Sequence, residues 1–166
     1  MKKVLIAIDY NPAAQKIAET GFEYARAMNA ETCIVHAIAD IAYNSEEYSP
    51  IMGFEGFSPD GVFKDLEEQE NEASRFLAAV VQHLGDSNIK IRVLDGKTFE
   101  TILQYAVEYK ADLIVMGANN HSGFEKILGD VVAKVIKHTE IPILIVPTDK
   151  HDLRTNSKKQ DVLQYI

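Results

Sequence analysis

The stretch that decides the fold is "DLIVMGANNHSGFEKILGDVVAKVIKHTEIPILIVP", residues 112–147. It opens on the apolar run DLIVMG (112–117), passes glycines at 117, 123 and 129, turns helical over 130–138 and closes on PILIVP (142–147). Two short apolar runs separated by a helix read as parallel neighbours in one sheet, buried on both faces. Within the helix, Val131, Val132, Val135 and Ile136 face inward, and Lys137 and His138 suit the negative end of its dipole. A glycine-punctuated turn between strand and helix is where α/β proteins hold phosphates. Yet Asp130, an acid, stands where an anion's counter-charge would be welcome.

The same rhythm extends toward the N-terminus. KVLIAID (3–9) is a β-branched run, followed by Asn11 as an N-cap and Pro12 at the first helical position. Ala14, Ile17, Ala18, Gly21, Phe22, Ala25 and Met28 then form an apolar stripe at helical spacing, ending near Asn29. TCIVHAI (32–38) is a second strand. Residues 63–84 read as a helix with Leu66, Ala73, Phe76, Leu77, Val80 and Leu84 on one face, and Asp65, Glu67, Glu68 and Glu70 in its first turns. IKIRVLD (89–95) alternates, which suggests a sheet edge, and TFETILQYAVEYK (98–110) is helical. Strands alternating with helices predict an α/β fold, an open doubly wound five-stranded parallel sheet with helices on both faces. The chain is too short for an eight-fold barrel.

Residues 1–149 are expected to form one α/β domain, followed by a polar tail over 150–166. Between strand two and the following helix, residues 41–61 form a long connection carrying Tyr43, Tyr48, Phe54 and Phe57. A loop of this length and composition is expected to cover the mouth of a crevice or an interface.

A formal charge of −8 over 166 residues argues against electrostatic binding to nucleic acid or an anionic membrane. No basic segment precedes the first apolar run and no run reaches membrane-spanning length, so a cytoplasmic location is expected. The single cysteine, Cys33, excludes an internal disulfide and sits in an apolar run, where it reads as a small buried hydrophobe.

Motifs of catalysis are missing: no GxxxxGK[ST] loop, no GxGxxG after the first strand, no GxSxG elbow and no HExxH. Ligands in open α/β sheets sit beyond the carboxyl ends of the strands at the switch point. Position therefore nominates Asp9, His36, Ala37, Asp95 and Gly117. Asp9 reads equally as a ligand contact or as a polar strand end that supports a turn. His36, in an apolar strand, reads better as a hydrogen-bonded core residue, and Asp95–Gly96 as a turn.

The segments KVLIAIDYNPAAQKIAETGFEYARAMNAETCIVHAIAD and GKTFETILQYAVEYKADLIVMGANNHSGFEKILGDVVAKVIKHTEIPILIVP resemble the universal stress proteins. The resemblance covers residues 2–147, with 41–88 matching in layout only. It implies strand order 3-2-1-4-5, which puts Asp9 and Gly117 beside the same crevice, and a homodimer through strand 142–147. It also implies a stress-responsive regulatory module that binds an adenine nucleotide, ATP with Mg²⁺ or AMP. The contacts it suggests are Ala7, Asp9, Ala37, Met116, Gly117, Asn120, Gly129, Asp130 and Val132, with no metal ligand and at most weak ATP hydrolysis. The family's loop, G-x2-G-x9-G-[ST], is altered here at three points. Asn120 replaces the second glycine, eight residues instead of nine separate it from Gly129, and Asp130 replaces Ser/Thr. Asn tolerates the left-handed conformation, whereas Asp130 is expected to cap the helix 130–138 and to repel a phosphate, unless Lys126 or a bridging Mg²⁺ offsets it. The alternative is a nucleotide-free dimeric interaction protein of the same fold. A phosphoacceptor receiver is disfavoured, because Asp9 has no acidic neighbour and Lys150 lies beyond the expected place.

Overall fold

The computed structural model describes residues 1–11, 13–38, 59–118 and 129–148. Its elements run β1 (Lys3–Ala7), α1 (Ala14–Ala27), β2 (Glu31–Ile38), α2 (Pro59–Leu84), β3 (Lys90–Asp95), α3 (Thr98–Tyr109), β4 (Leu113–Ala118), α4 (Asp130–His138) and β5 (Ile143–Pro147). The sheet has five strands in the order β3-β2-β1-β4-β5, and every pairing is parallel. The expected doubly wound α/β architecture is present.

β1 and β4 lie at the centre because their side chains are apolar on both faces. Val4 and Ile6 enter one core with Ile17, Phe22 and Leu77 from α1 and α2. Leu5 and Ala7 enter the other with Ile102, Ala106, Val132 and Val135 from α3 and α4. α1 lies close to the sheet at Gly21, where a Cβ would come within 2.8 Å of Ile6 Cδ1. At the amino ends of the central strands, Asp112 accepts from Lys2 Nζ and from the Lys3 amide, both at 2.8 Å. Its own amide donates to Lys3 O, which fixes where β1 and β4 begin. Cys33 is fully buried beside Tyr105, Sγ to hydroxyl 3.6 Å, as a small hydrophobe.

Several local expectations are corrected. α1 begins at Ala14 with Ala13 in the cap position, not at Pro12 with Asn11 as cap. The Asn11 Oδ1 accepts instead from the Ala13 amide at 2.8 Å, an Asx turn just ahead of the helix. α2 begins at Pro59, four residues earlier than expected, so Asp65, Glu67, Glu68 and Glu70 stand inside the helix rather than in its first turn. The loop expected over 41–61 therefore gives way to helix at 59, and its remainder, with Tyr43, Tyr48, Phe54 and Phe57, lies outside the described residues, as does the tail 150–166. The edge position of β3 agrees with its alternation, and Gly96, at φ +119°, makes the expected turn after Asp95.

Candidate functional site

A parallel sheet points all its carboxyl ends one way, and each covering helix runs back antiparallel, so helix starts gather at the same end. Here that end holds a crevice of about 620 Å³, within the range of small-molecule sites. Its floor is the divergence of the chain between β1 and β4. From β1 and its continuation come Ala7, Asp9, Tyr10 and Asn11; from β2, His36 and Ala37; from β4, Met116 and Gly117; from the start of α4, Gly129, Asp130 and Val132. Of the sequence-nominated residues, Ala7, Asp9, Ala37, Met116, Gly117, Gly129, Asp130 and Val132 thus converge on one space. Asn120, like Lys126, falls outside the described residues. Asp95 does not line this crevice.

Each contributor has a local reason for its place. β1 ends at Ala7, with one more backbone bond from the Ile8 amide to Val35 O, and Asp9 turns its carboxylate back to accept the Tyr10 amide at 2.7 Å. The Asp9 side chain stays 78% exposed, so its charge faces the opening. His36 is buried, with Nδ1 3.0 Å from Ile8 O. A carbonyl only accepts, so this nitrogen carries the proton and donates, as expected of a satisfied core histidine. Beside it Tyr10 and Phe76 pack with ring centroids 4.4 and 4.7 Å apart from their neighbours, His36 to Tyr10 and Tyr10 to Phe76. Tyr10 is half-exposed and presents an aromatic face at the mouth. Burial, then the charges of Glu72 and Asp9, push its phenol above the ordinary range.

Gly117 is where α1 approaches β4. A Cβ there would collide with Ile17 Cδ1, so the glycine makes room for the helix. Gly129 occupies the N-cap of α4 at φ +66°, ψ 152°, a conformation that disfavours any side chain, although no atom of the described residues lies within 4 Å of the point a Cβ would occupy. Asp130 does not cap α4: no side-chain cap bond exists, and its carboxylate pairs with Lys134 at 2.6 Å, one turn on. The expected anion at the helix start is therefore present, but it is 76% exposed and partly balanced by its neighbour. Thr148, after β5, donates its hydroxyl to Ala118 O and closes the far wall.

Gln69 and Glu72 of α2, with Thr98 at the start of α3, also line the crevice and escaped the sequence reading. Thr98 opens α3, and polar residues at helix starts face the ligand end of the sheet in this architecture; Gln69 and Glu72 lie well inside α2, where the sequence carries no such signal. Among the described residues no three His, Cys, Asp or Glu side chains stand close enough to hold a metal ion. No described helix is long and apolar enough to cross a membrane.

A family model described as the universal stress protein family matches residues 1–147. A universal stress protein of Methanocaldococcus jannaschii is 29% identical over 154 residues, spanning 91% of this chain and 85% of that protein. Among solved structures, a universal stress protein in complex with cAMP superposes with a TM-score of 0.59 at 23% identity, covering 89% of this chain and 98% of that one. A universal stress protein from Archaeoglobus fulgidus in complex with dAMP gives a TM-score of 0.55 at 18% identity, covering 87% and 97%. At these identities the two structures demonstrate a common fold.

Proposed function

The chain belongs to the universal stress protein family, and from that premise we propose that it is a regulatory module that binds an adenine nucleotide at the carboxyl ends of β1 and β4. The observation that carries this reading is the crevice itself: concave, of ligand size, and floored at the switch point of the sheet. Two solved proteins of the same fold are complexes with cAMP and dAMP, which supports an adenine ligand. In this reading Ala7, Ala37, Met116 and Val132 supply apolar contact, Asp9 and Asn120 supply polar contact, and Gly117 and Gly129 let the backbone approach. Any Mg²⁺ would arrive with the phosphates. Among the described lining residues no nucleophile stands with a general base, so the module is read as a binder, and its expected place is the cytoplasm.

The reading includes a homodimer through β5. This edge strand has apolar residues on both faces, Ile143 and Ile145 on one and Leu144 and Val146 on the other. The opposite edge, β3, carries Lys90 and Arg92, charges that deter strand addition. Native mass spectrometry of protein purified without added nucleotide, then titrated with adenine nucleotides, tests both parts. A bound adenine ligand on a dimer is expected. Folded dimer that takes none would overturn the ligand and favour a nucleotide-free interaction protein on the strength of the β5 edge.

A further inference from the structure

We propose a second ligand site on the open edge of the sheet: a trough along β3, between α2 and α3, that takes a free amino acid with a cationic side chain. Its volume is about 450 Å³, ample for a molecule of that size. Residues 91–95 of β3 line it in succession, so the space follows the edge of the sheet, where the outward peptide groups meet no further strand. The trough shares no lining residue with the crevice at β1 and β4, and the inference stands whatever that crevice binds.

Its basis is a set of opposite charges that share one space without pairing. Leu94 is buried in the core beneath α3, and the strand period of two puts Arg92 on that same face of β3. There Arg92 and Glu108 flank Tyr105, and the fields of both reach its phenol. Glu70 comes from the α2 wall and Asp95 from the end of β3. Among the described residues none of these four charged side chains forms an ion pair. Lys90, two residues before Arg92, shows the contrast, for it reaches Glu31 at 2.9 Å. A guanidinium takes a carboxylate through two parallel N–H donors. With Arg92 so engaged, three carboxylates remain, more than one ammonium group needs. A ligand with one carboxylate, an adjacent ammonium and a second cation on a flexible chain answers the whole set. In this assignment Arg92 holds the α-carboxylate, Glu108 the α-ammonium beside it, and Glu70 the side-chain cation across the trough. The Ser74 hydroxyl and the Gln104 amide supply further hydrogen bonds, and Ile91 an apolar surface for the methylene groups. The charges that keep another strand off this edge are thus the ones that hold a small ligand.

Calorimetric titration at low ionic strength with L-lysine, L-norleucine and cadaverine tests the assignment. Norleucine lacks the side-chain ammonium, and cadaverine lacks the carboxylate. Lysine is expected to bind at least about tenfold more tightly than either. Arg92→Gln should weaken lysine by roughly tenfold or more and leave cadaverine no weaker, while Glu70→Gln should bring lysine toward the level of norleucine. Both side chains are exposed and unpaired, so neither substitution disturbs the core. Cadaverine binding as tightly as lysine would overturn the inference in favour of an acidic surface that gathers cations without discrimination. Absence of lysine binding to the folded protein at millimolar concentration would also overturn it. So would lysine binding that survives both substitutions, which would put the amino acid elsewhere.

Discussion

Gly117 shows how one residue serves two readings. In the sequence it opens a phosphate-type loop; in the structure it is the seat of Ile17, whose Cδ1 occupies the space a Cβ would need. Gly117→Ala should therefore destabilise the fold by about 1–3 kcal/mol through overpacking. Ile17→Val removes the clashing methyl group itself. In that background the same alanine should cost measurably less, and a urea double-mutant cycle would show the coupling. Additive costs would mean that the contact does not govern Gly117. Gly129 has a different reason, a positive φ with no described neighbour near its missing Cβ, so Gly129→Ala should act through backbone strain of about 1 kcal/mol. Cys33 was legible in full: it is buried, and burial pushes its thiol above the ordinary range. In native buffer a thiol reagent should modify it only as fast as the chain opens, and rapid labelling of the folded protein would contradict its burial.

At the scale of elements, the sequence disclosed strands and helices where apolar period was strong and lost them where side chains act locally. β2, α3, α4 and β5 fall within a residue or so of expectation because their stripes bury against a sheet. The start of α2 was missed because Pro59 opens the helix before its apolar stripe begins, and periodicity has nothing to register there. Asp130 was read as a cap from its residue type, yet the chain places Gly129 at that position and frees the carboxylate to meet Lys134. The crevice was legible at its strand ends and at the start of α4, and invisible where α2 and α3 supply Gln69, Glu72 and Thr98, since the facing of those helices depends on packing. For β5, Ile145→Lys puts a charge at the middle of the proposed seam, and light scattering should report a monomer where the parent protein is a dimer. A parent protein that is monomeric at working concentration would dismiss the seam.

For the whole molecule, ionisation sets an acid limit and an alkaline limit. The carboxyls of Asp112, Glu31 and Glu19 are held below the ordinary range, each first by a side-chain hydrogen bond, from Lys2, Lys90 and His83 respectively. A lowered folded value means stability that is present above the unfolded value and lost as pH falls through the folded one. The melting temperature should therefore decline below about pH 4, and Asp112→Asn should lower it at neutral pH while matching the parent protein in strong acid. A constant difference across that range would show that the substitution acts by packing. Tyr105 is pushed up to about 12, chiefly by burial, and Tyr109 is raised further by the same cause. For them the stability is complete below the unfolded value near 10 and lost as pH rises beyond it, so a second decline should set in on the alkaline side. The unlike borders of the sheet carry a consequence for numbers of molecules. A sheet with two adhesive borders can recruit a neighbour at each and grow into a ribbon without end, whereas one apolar border opposite one bearing Lys90 and Arg92 offers a single seam. Under the β5 seam proposed above, two such chains joined about a two-fold axis would make a closed pair whose outward borders are both charged, and assembly is expected to stop there.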